Sequence, residues 1–192
     1  MSKRDPEARR TAIITAAADL VVELGPERLT HRRVAERAGV PLGSTTQYFK
    51  SIDELRTRAL ERLAAEIDDD LEAVRESLAT SNGSIDALVD DLHDYLRNHR
   101  NLAADVSLMS AAAFDADLRE LSLRWQNNLI DILTAYVGPT NAHALAILAD
   151  GVTIHAVQHD APLPKATLRA IVAPFMGADS KPPTPNEMGP TR

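Results

Sequence analysis

Cysteine is absent from this chain of 192 residues. Disulfide frameworks, thiolate zinc sites and cysteine nucleophiles are therefore excluded together, and a reducing cytoplasm is the compartment such a composition suits. Aromatic residues are scarce at 4%, with one Trp, three Tyr and three Phe, while hydrophobic residues as a whole reach 44%. A core built from Leu, Ile, Val and Ala at this length points to an all-α protein. Long apolar runs are lacking too. The N-terminus holds no signal-like apolar segment and no stretch approaches about eighteen uninterrupted apolar residues, so neither export nor a membrane span is expected. The G-x-S-x-G elbow, a Walker-type phosphate loop and a dinucleotide fingerprint are all missing. A small helical enzyme is thus the remotest alternative, and no cofactor is expected.

Positive charge is in short supply, with 21 Lys and Arg against 28 Asp and Glu and a formal net charge of -7. The deficit is uneven. Residues 1–50 carry nine basic against six acidic side chains (+3), and the remainder twelve against twenty-two (-10). A basic end on an acidic protein is the footprint that a polyanion-binding segment requires.

That end contains residues 29–55, LTHRRVAERAGVPLGSTTQYFKSIDEL. Thr30 is an N-cap candidate for a short helix over 31–38 whose Val34, Ala35 and Ala38 form one narrow apolar face. Gly39 stands where a helix end favours positive φ, Val40 can plug the angle between helices, and Pro41 opens a second helix over 42–48. The outward residues of that helix, Ser44, Thr45, Thr46, Gln47 and Tyr48, carry the hydroxyl, amide and phenol groups that hydrogen-bond phosphates and base edges. Phe49 is a candidate anchor behind them, and Ser51 and Glu54 have the spacing of a capping box for a third helix. Two short helices about a glycine turn read as a helix-turn-helix, although the same pair occurs in ordinary bundles.

In register, Thr30, Val34, Ala35, Ala38, Gly39, Val40, Gly43, Tyr48, Phe49 and Leu55 resemble the DNA-binding segment of the TetR family of bacterial transcriptional regulators. That segment has the form T-x-x-x-apolar-A-x-x-A-G-V-x-x-G, followed by an aromatic-rich recognition helix ending in Phe. The likeness is strong over residues 9–56 and architectural beyond. It implies a homodimeric, ligand-responsive repressor on a palindromic double-stranded DNA operator, with a helical C-terminal domain that dimerises and binds a small-molecule effector. DNA contacts are expected from Thr30, Arg32, Leu42, Ser44, Thr45, Thr46, Gln47, Tyr48 and Lys50. Two positions depart from the pattern. Thr46 stands where the family usually has tyrosine, and Ile52 lies near the place of a phosphate-contacting lysine, a role that Lys50 is close enough to take. A constitutive DNA-binding protein without an effector is the alternative.

The expected organisation is a helix-turn-helix domain over 1–51, a helical effector-binding and dimerisation domain over 52–177, and a disordered tail over 178–192 rich in Pro, Ser, Thr and Asn. A first helix over 6–24 turns Ile13, Ala17, Leu20, Val21 and Leu24 toward the helix-turn-helix and leaves Arg4, Arg9 and Arg10 outside. One long helix over 52–79, carried by Leu55, Ala59, Leu63, Ile67, Leu71, Val74 and Leu78, should join the two domains. Its Asp68, Asp69 and Asp70 point in different directions and do not suit a metal. Further helices are expected over 85–99, 102–114, 118–136, 141–159 and 164–176.

The helix over 141–159 has two apolar faces, one through Leu145, Leu148, Ala149 and Val152 and another through Ile147, Gly151 and Ile154. Little sequence remains to cover them, so an interface between copies is expected at Leu148, Val152, His155, Leu168, Ile171, Val172 and Phe175. His155 and His159 have the spacing of a metal pair, but helix packing and C-terminal capping account for them without a metal. Asp105 is the anomaly of an otherwise apolar helix. It must be protonated, paired with Arg100 or Arg124, or matched by something that enters. In the last case it would share a cavity with Tyr95, Met109, Phe114, Trp125 and Leu129, suited to a small apolar effector whose cationic charge matches the acid.

Overall fold

Six helices open where a side chain can take up the free N–H groups of a first turn. Asp5 accepts from the amide of Glu7, Thr30 from Arg33, Ser51 from Glu54, Ser84 from Asp86, Asn98 from Arg100 and Asn101, and Asp115 from Asp117 and Leu118. The computed structural model describes residues 5–176; Arg4 and the tail over 178–192 lie outside them. Within them the chain forms α1 (Pro6–Leu24), a 3-10 turn (Pro26–Arg28), α2 (His31–Ala38), α3 (Leu42–Tyr48), α4 (Ile52–Thr80), α5 (Ile85–Arg97), α6 (His99–Ala112), α7 (Ala116–His159) and α8 (Lys165–Met176). No strand occurs among the described residues, and the fold is all-α.

The structure corrects one boundary. α5 stops at Arg97 and α6 begins at His99 rather than near Leu102, because the Asn98 side chain caps a new helix there. α7 is interrupted at Gly138 (φ 76°, ψ 164°) with Pro139 behind it, so it comprises two arms meeting in the gap expected between the helices over 118–136 and 141–159. By length and composition alone α7 could cross a membrane. Here Leu129, Ile132, Leu133, Leu145 and Val152 are packed inside the protein, which makes it a core helix.

Two apolar cores share α4. In the first, Ile13, Ala17, Leu20 and Val21 of α1 close over Val34, Phe49, Leu55, Ala59 and Leu63, and the packing continues to Ala104 and Leu108 of α6 and Leu118 of α7. The second joins Leu71 and Leu78 of α4 to Leu88 and Leu96 of α5, Leu102 of α6, the α7 residues named above, and Leu168 and Val172 of α8. Leu60 and Leu63 are fully buried, and truncating such a leucine to alanine costs about 2 to 5 kcal/mol. At ~1.5 Å per residue, α4 is a rod roughly 40 Å long, anchored at both ends. The same helix thus contributes side chains to both cores.

Candidate nucleic-acid interface and effector cavity

The helix-turn-helix is fixed from inside. Val34 and Ala35 of α2 are buried, and Gly39 adopts a left-handed conformation (φ 64°, ψ 34°) that brings the Val40 amide back to the carbonyl of Ala35 at 3.0 Å. A Cβ at Gly39 would meet nothing within 4 Å. The backbone angle, and not space, selects glycine. On α3, Thr45 is wholly buried and its hydroxyl donates to the Leu42 carbonyl at 2.8 Å, while Phe49 is buried behind it. The opposite face exposes Leu42, Thr46 and Gln47, with Lys50 beyond and Ser44 and Tyr48 half-buried at its edges. The Thr30 hydroxyl caps α2 and Arg32 is exposed. Arg37 is bound by Glu23, and the Arg33 guanidinium donates to the Arg28 carbonyl at 2.7 Å. Around the motif, the side chains of Arg32 and Lys50 form no ion pair among the described residues, while the Lys50 backbone N–H donates to the Glu54 carboxylate at 2.7 Å.

In the second core α4, α5, α7 and α8 enclose a cavity of about 70 Å³. Its wall is almost all leucine and valine, with Tyr95 and Trp125 and two carboxylates, Asp70 and Asp91. The Asp70 carboxylate accepts from the Asn101 amide at 2.7 Å. Burial, with the charges of Asp69 and Glu66 added, pushes Asp70 above the usual carboxylate range. Asp91 is also pushed up, mainly by burial, and its Oδ2 is buried without a partner, as is the indole N–H of Trp125.

Asp105 stands behind this wall. It is 3% exposed, and its Oδ2 accepts from the Tyr95 hydroxyl at 3.2 Å. Burial, partly offset by the Tyr95 bond and reinforced by Asp150, pushes Asp105 up to about 6. Burial and the Asp105 charge hold the Tyr95 phenol far above its ordinary range, so it remains a neutral donor. Neither expected arginine reaches Asp105. Arg100 is held by Glu66 and Asp19, and Arg124 by Asp68.

The family model described as bacterial regulatory proteins, tetR family, matches residues 13–59. A solved structure of a TetR family member, SCO1917 of Streptomyces coelicolor A3, is 29% identical, with a TM-score of 0.75 over 88% of this chain and 98% of that one. SCO7518 of Streptomyces coelicolor A3(2), described as a transcriptional regulator, is 31% identical with a TM-score of 0.72 and the same two coverages, 88% and 98%. The chain belongs to the TetR family. The multidrug binding protein EbrR in complex with ethidium is 29% identical with a TM-score of 0.73, over 88% of this chain and 98% of that one. EbrR is also solved with proflavin and with malachite green. No curated protein matches the sequence.

As a TetR-family transcriptional regulator the chain carries its DNA-binding helix-turn-helix in α2 and α3. Several expected site residues are placed elsewhere by the fold. Thr45 faces the core of the motif and cannot present its hydroxyl to a base. Of the expected effector set, Tyr95, Trp125 and Leu129 line the cavity, and Asp105 is screened from it by Tyr95. Met109 is not on the cavity wall, and Phe114 is 92% exposed because α6 ends at Ala112 and the chain turns outward. Val152, Leu168 and Val172 are buried in the subunit's own core, so they are not available to a partner, and Leu148 lines the cavity. His155, Ile171 and Phe175 are half-buried. His155 and His159 stack at 3.9 Å between ring centroids.

Sequence reasoning weighed Asp70 only as a metal ligand, passed over Asp91, and placed neither on a cavity wall. Both fall on the apolar stripes of their helices, Asp91 between Leu88 and Tyr95 and Asp70 between Ile67 and Val74, and that interruption of a stripe is the same signal that singled out Asp105.

Proposed function

We propose that two copies of this TetR-family regulator hold a near-palindromic DNA site as a cytoplasmic repressor, and leave it when a small apolar cation enters the cavity. Residues 1–51 read DNA, and residues 52–177 dimerise and sense the effector. The observation that carries the reading is the placement of Asp70 and Asp91 on a leucine-lined wall, where the one polar group offered to either is the Asn101 amide or a neighbouring hydroxyl and no Lys or Arg stands opposite. Half-buried carboxylates on an apolar wall without a counter-charge are destabilised. An entering cation supplies that charge, and Trp125 and Tyr95 offer it aromatic faces. EbrR, alike in fold, takes ethidium, proflavin and malachite green.

On the DNA side, Leu42, Ser44, Thr46, Gln47 and Tyr48 form the reading face, with Thr30, Arg32 and Lys50 on phosphates. The dimer uses the outward side of the second arm of α7. Ile147 is 66% and Val157 45% exposed, with Gly151 and the half-buried Ile154 on the same side. On α8 the exposed Ala166, Thr167 and Ala170, flanked by Ile171 and Phe175, are small enough for close helix approach. Two-fold symmetry then sets the two α3 helices in major grooves about one DNA turn apart, roughly 34 Å.

The experiment uses tetraphenylphosphonium as the cationic probe and triphenylphosphine oxide as an uncharged one. Binding is followed by the fluorescence of the single Trp and release by operator binding at fixed salt. Tetraphenylphosphonium should bind and release DNA, and Asp70→Asn with Asp91→Asn should weaken it while leaving the oxide unaffected. Failure of both probes to bind, or equal binding of the cation to the doubly substituted protein, would overturn the effector reading.

A further inference from the structure

The first turn of α6 lies between the cavity and the DNA-binding helices, and its side chains reach in both directions. On the cavity side the Asn101 amide donates to Asp70 Oδ2 on α4 at 2.7 Å. On the other side, one residue earlier, the Arg100 guanidinium donates to both carboxylate oxygens of Glu66 on α4, at 2.7 and 3.2 Å, and to Asp19 on α1 at 2.8 Å. The Asn98 side chain fixes both residues by accepting from the backbone amides of Arg100 and Asn101 at 3.0 and 3.4 Å. α1 is the helix that closes the core of the helix-turn-helix, and Asp19 lies between its buried Ala18 and Leu20. A continuous set of polar contacts therefore runs from the cavity wall through one helical turn to the DNA-binding domain.

The two ends of this set differ in strength. Arg100 meets two carboxylates in charge-assisted bonds, which are short and directional. Asp70 has only a neutral amide to offset its charge. A cation arriving in the cavity offers Asp70 a stronger partner than Asn101, whereas nothing in the cavity competes for Arg100. The weak contact is the one exposed to the ligand, and the strong ones grip the helices that move DNA recognition.

We propose that Asn101 and Arg100 are the coupling residues of this regulator: a cation that captures Asp70 frees Asn101, the first turn of α6 shifts, and Arg100 carries that shift to Asp19 and Glu66. This rests on the effector reading above and specifies how occupancy is read. A ligand moves an equilibrium only through differential affinity for its two states. Here the difference lies in the Asp70–Asn101 bond, kept in the DNA-binding state and surrendered in the liganded one. Reciprocity then requires that DNA weaken cation binding by the same factor by which the cation weakens DNA binding.

The test measures the coupling factor, the ratio of operator Kd with and without saturating tetraphenylphosphonium, in the full-length protein. Wild type should show a factor in the usual range, about 5- to 150-fold. In Asn101→Ala, Asp70 is free in both states. The probe should bind as tightly as to wild type or tighter, and the coupling factor should fall below about three-fold. Arg100→Gln should bind the probe like wild type and also lose coupling. A merely structural role for this turn would instead weaken probe and operator binding together, with the ratio preserved. That outcome, or wild-type coupling in both variants, would overturn the proposal and leave the effector reading standing. Absence of probe binding to wild type would overturn both. Should Asn101→Ala not fold, by circular dichroism, Arg100→Gln carries the same decision.

Discussion

Replacing Asp105 by Asn should make this protein more stable at neutral pH and confer no such gain in acid. Asp105 is 3% exposed and its single side-chain hydrogen bond comes from the Tyr95 hydroxyl. Its pKa is about 6 in the folded protein against 3.8 for the unperturbed group, chiefly through burial. At 1.36 kcal/mol per unit this separation is a penalty of roughly 3 kcal/mol once the group is ionised in both states. The folded state holds its proton more tightly than the unfolded state, so between pH 4 and 6 folding binds protons and stability falls as pH rises. The penalty is absent below about pH 3 and complete above about 7. Asn keeps an acceptor for Tyr95 but brings a buried NH2 group whose unmet hydrogen bonds cost about 1 to 2 kcal/mol at every pH. The expected net gain at pH 7.5 is therefore about 1 to 2 kcal/mol. The sharper quantity is the difference between Asn and Asp proteins, which should change by about 2 kcal/mol between pH 4.5 and 7.5 whatever the amide costs. Urea unfolding at fixed protein concentration measures it, with any association terms the two proteins share cancelling in the difference. A difference independent of pH would refute the assignment of a raised pKa to Asp105.

Three further outcomes follow from the positions of other side chains. Gln47→Ala should weaken the specific operator by about 1 to 3 kcal/mol while Lys50→Ala weakens all duplexes alike, and Thr45→Ala should lower the melting temperature instead of altering base preference; duplex competition and thermal melting separate the three. Ile147→Asp should give folded monomers by sedimentation, whereas Leu168→Asp, at a position with 0% exposure, should fail to fold; a dimer in the first case would remove α7 from the interface. Gly83→Ala should cost about 1 to 3 kcal/mol, because the residue sits at φ +73° and its Cβ would lie 2.6 Å from the ring of Tyr136; unchanged urea stability would contradict that packing of the α4–α5 turn.

The sequence by itself determined the helices and the DNA-binding motif, since both are written in local chemistry. Caps at Thr30 and Ser51, the helix end at Gly39, and the stripes of α1 and α4 act within a turn or two of chain. The motif of α2 and α3 is short enough for its spacing to fix its geometry. What only tertiary structure decided was which side of each helix faces protein. Thr45, Leu168 and Val172 have outward-compatible or apolar side chains in sequence, and packing against distant helices turned them inward, while Ile147 was left outside. The pairing of charges was likewise settled over long separations, as with Arg100 and Asp19, 81 residues apart. That choice denied Asp105 an arginine and left Asp70 and Asp91 on a cavity wall. Ion pairs form between whichever side chains the packed helices bring together, and helix periodicity carries no record of the neighbour.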